Sequence, residues 1–169
     1  MELTYGRYLK VEELLQLQQP LSEGPEHDEM LFIIIHQVYE LWFKQILHEL
    51  EKLKSSFQEG ERGKALHTLK RIRSILKVLV SQVDVLETMT PLEFLSFRER
   101  LQSASGFQSC QFRELEFTLG LKNPKHLEHY PQGSVERNRQ KKNWRSLLYG
   151  RFSLSFLSLI HISEPTRLS

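Results

Sequence analysis

His27-Asp28-Glu29-Met30-Leu31-Phe32-Ile33-Ile34-Ile35-His36-Gln37-Val38-Tyr39-Glu40-Leu41-Trp42-Phe43-Lys44-Gln45-Ile46-Leu47-His48-Glu49-Leu50 decides the fold, because this stretch spells one long helix. Phe32, Tyr39, Phe43, Ile46, Leu50 and Leu53 recur at helical spacing on a single face. Asp28 and Glu29 stand where acids favour the positive end of a helix dipole. His36 lies one turn after Phe32 and one turn before Tyr39 and Glu40, so the inward stripe carries an imidazole among aromatics. Such a ring brings two nitrogens that each need a partner. A neighbouring backbone carbonyl is one candidate, as in an ordinary core histidine. A ligand with one matching donor or acceptor is the other.

Working outward, the helix runs to about residue 57, and Gly60 and Gly63 mark a turn. Upstream, residues 2–9 set Tyr5 and Tyr8 three apart. Val11 to Gln19 predicts a short helix stopped by Pro20, and residues 20–26 form a loop by their Pro and Gly content. Downstream, a second helix is expected over Lys64 to Glu87, with Leu66, Leu69, Ile72, Leu76, Leu79, Val80 and Val83 inside and a solvated basic face outside. Thr90-Pro91-Leu92-Glu93 opens a third helix: Thr90 caps, Pro91 suits the first helical position, and Glu93 completes a capping box. On it Phe94 and Arg98 share a face, with Leu101 on the same side. Ser103-Ala104-Ser105-Gly106-Phe107 is a loop whose small residues allow close backbone approach. Gln108 to Leu119 is a fourth helix, stopped by Gly120. No strand alternation of useful length occurs, so the body is all-α.

The 169 residues fit one domain, or part of a larger one, and 40% hydrophobic with 26% charged residues suits a soluble protein. The N-terminus lacks the basic and apolar regions of a signal peptide, and no run approaches the ~20 apolar residues of a membrane span. Cys110 is the single cysteine, which excludes disulfides and thiolate zinc sites and suits a reducing cytoplasm. The net charge of +2 is set by the end of the chain: residues 134–169 hold seven basic against two acidic residues, leaving 16 against 19 over residues 1–133. That mildly acidic body carries no nucleic-acid footprint. After about Val135 helical periodicity vanishes, and the last twelve residues, 158–169, resemble translated sequencing-adaptor sequence. Residues 1–133 are therefore expected to form the helical domain, with 134–169 a non-native or disordered basic tail.

Three features converge on a site: the pair Phe32 and His36, the pair Phe94 and Arg98, and the small-residue loop at Ser105 and Gly106. A guanidinium fork suits a carboxylate, and a phenyl ring gives a flat apolar wall. A ligand matching them all has an aromatic ring, a ring N–H and a carboxylate, as an aromatic amino acid does. The competing possibility is that Arg98 simply pairs with a surface acid such as Glu99 or Glu116.

His27-Asp28-Glu29-Met30-Leu31-Phe32, His36-Gln37 and Glu40-Leu41-Trp42-Phe43-Lys44 resemble the signature of the tryptophan 2,3-dioxygenase family. So do Tyr5-Gly6 with Tyr8-Leu9, Leu86-Glu87-Thr88-Met89-Thr90, Phe97-Arg98, and Ser103-Ala104-Ser105-Gly106-Phe107-Gln108-Ser109 followed by Gln111-Phe112-Arg113. The similarity runs in order from about residue 3 to about 125. It implies a helical bundle of the haem-dependent type, here truncated. It also implies insertion of both atoms of O₂ across the indole C2–C3 bond of L-tryptophan, giving N-formylkynurenine, the first step of the kynurenine pathway.

By position, the resemblance makes His36 the distal histidine that meets the indole N–H and Phe32 the ring packed on the indole. Arg98 becomes the carboxylate clamp and Leu101 a substrate neighbour. Phe94 stands where relatives often carry Tyr, so a hydroxyl contact is absent. Ser105 and Gly106 lie near the edge of haem b and the substrate. Tyr5 and Tyr8 belong to a segment that reaches a neighbouring subunit's site, implying a homotetramer. The family's proximal histidine and a threonine that holds the substrate ammonium fall in a C-terminal half with no counterpart here. His126, His129 and His161 are poor substitutes as axial ligands. The chain as written is therefore expected to be inactive alone. Rival readings are a non-enzymatic helical fragment without haem, a haem dioxygenase of wider indole specificity, which the Arg98 and His36 motif disfavours, and a di-metal carboxylate bundle. The last needs Glu-x-x-His pairs, and the sequence has none.

Overall fold

The computed structural model describes residues 2–24, 26–102, 104–121, 130, 132–135, 137 and 138, all helix, turn or irregular chain without a strand. The all-α class expected from the pattern is what these residues form. Six α-helices are delimited among the described residues: α1 Tyr5–Leu9, α2 Val11–Leu14, α3 Asp28–Gln58, α4 Arg62–Leu86, α5 Pro91–Arg98 and α6 Cys110–Leu119. Short 3₁₀ turns at Glu99–Leu101 and Gly106–Gln108 link α5 to α6. The suspect tail falls almost wholly outside the described residues, as do His126, His129 and His161.

The chain divides into two compact units, Met1–Tyr39 with Ser81–Ala104, and Glu40–Val80 with Ser105–Ser169. In the second, the C-terminal part of α3 and most of α4 form an antiparallel hairpin. Gly60, at φ 74°, closes α3, and the Glu61 amide donates back to the Ser56 carbonyl at 2.8 Å, a left-handed C-cap that glycine adopts without strain. Glu49 and Arg71, nearly equidistant from that turn, meet at 3.0 Å. Ile46 and Ile72 are fully buried, each worth about 2–3 kcal/mol in apolar area removed from water. Helix α6 joins the hairpin through Phe43 and Phe112, ring centroids 5.4 Å apart, and through the Gln111 amide, which donates to the Glu40 carbonyl at 2.9 Å and carboxylate at 2.8 Å.

Two expectations need correction. The buried stripe of α4 is Ala65, Thr68, Ile72, Ile75 and Leu79, so Ile72 and Leu79 lie inside as expected and the rest of the buried line is displaced by one residue from the expected one. Leu66, Val80 and Val83 instead are exposed. The helix carries two adjoining apolar stripes that share Ile72 and Leu79. Helix α2 ends at Leu14 rather than Gln19. Its last amides shift to 3₁₀ spacing, Gln16 donating to the Glu13 carbonyl and Leu17 to that of Leu14, and the Leu17 carbonyl accepts from the Gln37 side chain at 3.0 Å.

Candidate functional site

All but two of the sequence-predicted site residues belong to the first unit. Helix α5 starts as its sequence dictates: the Glu93 amide donates to the Thr90 hydroxyl at 3.3 Å, and the Thr90 amide donates to the Glu93 carboxylate at 2.6 Å. The Thr90 bonds hold the Glu93 carboxyl below its ordinary value, with Asp28 at the start of α3 and His27 just before it as neighbours. One turn on, Phe32 of α3 meets Phe94 at 5.7 Å and Phe97 at 5.6 Å, and those two meet edge-on at 5.5 Å. Contacts at Asp28 and Glu93, then at Phe32, Phe94 and Phe97, advance the same way along both helices. The helices thus run side by side in one direction. The next turn of α3 carries His36, and the next turn of the neighbour carries Arg98 and Leu101. Fully buried Phe97 is the anchor of this packing.

His36 stacks on Phe32 with centroids 4.1 Å apart, and its Nδ1 lies 2.7 Å from the Phe32 carbonyl. A carbonyl can only accept, so in the neutral ring Nδ1 carries the proton and Nε2 keeps its lone pair. The carbonyl partner anticipated for a core histidine is present, and it uses one nitrogen. No described group bonds Nε2, and the ring is only half-buried. Arg98 pairs with neither Glu99 nor Glu116. Its Nη1 donates to the Gln102 carbonyl at 3.1 Å, while Glu116 takes the buried Arg113. The rest of the Arg98 fork is left for another acceptor.

Three residues that the pattern did not single out hold this unit together. Glu29 is buried and accepts the Leu21 amide at 2.7 Å on one oxygen and the Ser22 amide at 3.0 Å on the other. Burial pushes its carboxyl up, but donation from Ser22 and Leu21, helped by the Arg100 charge, outweighs that and leaves it below its ordinary value. Arg100 reaches the Leu21 carbonyl at 3.5 Å. Gln37, beside His36, accepts from Gln18 at 2.5 Å and donates to Leu17, tying the segment after α2 to α3. The acid-rich start of α3 hinted at Glu29. Nothing local marks Gln37 or Gln102, since their partners are tertiary or backbone groups.

Tyr5 and Tyr8 stand on the exposed face of α1, at 77% and 72% exposure, with no described aromatic neighbour. Ser105 and Gly106 belong to the second unit and are exposed; a Cβ on Gly106 would meet nothing within 4 Å. Nearby, the Tyr130 hydroxyl donates to the Gln108 and Ser109 carbonyls at 3.4 and 3.3 Å, and burial beside Cys110 pushes its phenol well up.

Among the described residues no three His, Cys, Asp or Glu side chains cluster to hold a metal ion, and no helix is long and apolar enough to cross a membrane. The family model for tryptophan 2,3-dioxygenase matches residues 1–151, further than the resemblance read from motifs alone. A tryptophan 2,3-dioxygenase of Herpetosiphon aurantiacus is 55% identical over 152 residues, covering 87% of this chain and 58% of that protein. Those of Anaeromyxobacter sp. (strain K) and Nocardioides sp. are 60% and 57% identical, covering 78% and 76% of this chain and 49% and 50% of their own. The chain spans about half the length of the curated relatives it matches.

Proposed function

The chain belongs to the tryptophan 2,3-dioxygenase family, and from that premise we propose that the full-length protein inserts O₂ across the indole C2–C3 bond of L-tryptophan. The product is N-formylkynurenine, which begins tryptophan catabolism by the kynurenine route in a reducing cytoplasm. The observation that carries this proposal is the bond from His36 Nδ1 to the Phe32 carbonyl. It fixes the tautomer that leaves Nε2 as an acceptor, as an indole N–H requires, on an apolar wall where no charge need be buried.

Substrate recognition then divides between two helices. Phe32 and Phe94 give the flat wall for the indole, Arg98 offers its open fork to the carboxylate, and Leu101 lies on the same side. Holding the ring and the carboxylate at once restricts the substrate to one pose, which is the main catalytic task left to the polypeptide. Ser105 and Gly106, small and open, would line the edge of the haem and the substrate.

The described residues do not complete a haem site. His27, His48 and His67 are exposed, and His67 faces Arg71 at 3.3 Å. With His36 given to the substrate, no buried histidine is left among the described residues as axial ligand. The haem, when bound, supplies the oxygen chemistry. This chain carries the distal and substrate half. Exposed Tyr5 and Tyr8 support an arm that enters a neighbouring subunit of a homotetramer, and exposed Leu66, Val80 and Val83 support cover by the remaining half.

The test is tryptophan turnover by the full-length protein with His36→Ala and Arg98→Ala, followed by absorbance of the formylated product. Losing the charged clamp should weaken tryptophan binding roughly hundredfold, and losing the neutral acceptor about tenfold or less. Unchanged kinetics in both variants would overturn the roles given to His36 and Arg98, and no turnover by the unaltered full-length protein would favour a helical protein with no enzymatic role. The chain as given is expected to bind haem weakly and form no product. A stoichiometric Soret band with turnover would overturn that half-site account.

A further inference from the structure

We propose that the main-chain carbonyl of Gln102, presented by a left-handed backbone, is the group that positions Arg98 for a substrate carboxylate. The proposal rests on the reading of Arg98 as the carboxylate clamp. Gln102 and Lys10 are the two non-glycine residues with positive φ among those described. Lys10 lies between α1 and α2 and its carbonyl accepts from the Leu14 amide within that turn, whereas Gln102 ends the 3₁₀ turn that follows Arg98.

At φ 50° and ψ −121°, Gln102 occupies a region that suits glycine, and such strain persists where the surroundings over-determine it. Here the Gln102 amide donates to the Glu99 carbonyl at 3.1 Å and the Ala104 amide to the Leu101 carbonyl at 2.8 Å. On the same turn Arg100 is drawn to the Leu21 carbonyl, itself part of the loop that Glu29 grips. Residues on both sides of Gln102 are thus bonded in place, and its carbonyl is turned back onto Arg98 Nη1 at 3.1 Å. The bond uses one donor edge of a planar five-donor group. It holds one edge of the guanidinium and leaves the remaining N–H groups to donate side-on to a carboxylate. The exposed Gln102 side chain takes no part, so the demand is on backbone conformation and not on the amide.

The experiment compares L-tryptophan with tryptamine, which has the same indole and no carboxylate, by calorimetric titration of the full-length holoenzyme. Gln102→Val is β-branched and resists positive φ, whereas Gln102→Gly permits it and removes the side chain. The expected result is that Val lowers the preference for tryptophan over tryptamine about tenfold, the scale of one hydrogen bond to a charged group, and that Gly retains it. Tryptamine affinity should stay unchanged in both. The proposal is overturned if Val keeps the preference, if Val and Gly lose it equally, or if tryptamine binding falls in parallel, which marks a purely structural role. Should Val prevent folding, Gln102→Thr, smaller but still β-branched, asks the same question with the same outcomes. Arg98→Ala serves as reference: if it leaves the preference intact, both the clamp and its positioning fail, whereas its loss alongside an indifferent Gln102→Val sinks only the positioning.

Discussion

Replacing Phe97 by alanine tests whether the aromatic cluster is what holds α5 against α3. The ring is fully buried and meets Phe32 at 5.6 Å and Phe94 edge-on at 5.5 Å. Deleting a buried phenyl costs about 3–5 kcal/mol in lost transfer and residual cavity. Each well-oriented aromatic pair adds about 0.5–1.5 kcal/mol, part of which that range already includes. A loss of about 4 kcal/mol is therefore expected, roughly 8–16 °C in melting temperature for a protein of this class of size. The assay is a thermal melt of the full-length protein followed by far-ultraviolet circular dichroism, with Phe97→Leu as the volume-conserving control. Leu should recover more than half of the loss, because it fills most of the cavity and forgoes only the ring pairing. A shift below about 3 °C for Phe97→Ala would refute the reasoning, since a ring with no solvent exposure cannot be that cheap to remove unless the packing is not as described.

Three further outcomes follow from bonds elsewhere in the structure. Thr90→Ala removes the hydroxyl that caps α5 and should cost about 1 kcal/mol, measured by urea denaturation, with Thr90→Ser restoring it. Glu29 has its carboxyl held below the ordinary 4.5 in the folded state, so its stabilising contribution is complete above that value and is lost as pH falls through the folded pKa. Glu29→Gln should accordingly lower the melting temperature by a constant amount between pH 7 and pH 5, with the gap to the wild type closing on further acidification; a gap that widens would reverse the sign. Arg71→Ala leaves buried Glu49 with Gln45 as its remaining partner and should destabilise by about 1–2 kcal/mol, discounted because Arg71 is half-exposed, in a comparison of chemical melts.

What could be read from the residues in advance was what local chemistry decides. Thr90, Pro91 and Glu93 specify a helix start within four residues, and the structure has the reciprocal bonds they imply. Gly60 and Gly120 stop helices because a left-handed C-cap favours glycine wherever it falls. On α4 the expected and buried stripes share Ile72 and Leu79 and otherwise lie one residue apart, a difference that helical periodicity alone does not resolve. Helix α2 is shorter than its apolar spacing implies because the Gln16 and Leu17 amides tighten to 3₁₀ bonds, and Leu17 and Gln18 are held by Gln37, about twenty residues away. In the candidate site, Phe32, His36, Phe94 and Arg98 could be paired by spacing, and the structure brings the aromatic members together. The partner of Arg98 was invisible, since a carbonyl bears no signature of its residue and glutamine does not announce a left-handed backbone.

Gln37 sits next to His36 in the chain and is clasped by Leu17 and Gln18. The opening residues are consequently riveted to the helix that bears the imidazole, within a residue of it. Shortening the protein from its front as far as Gln16 would spare the rivet, whereas removing two residues more would shear it and let that part of the helix roll. Anyone trimming this polypeptide for crystallisation or display would disturb the histidine long before touching it.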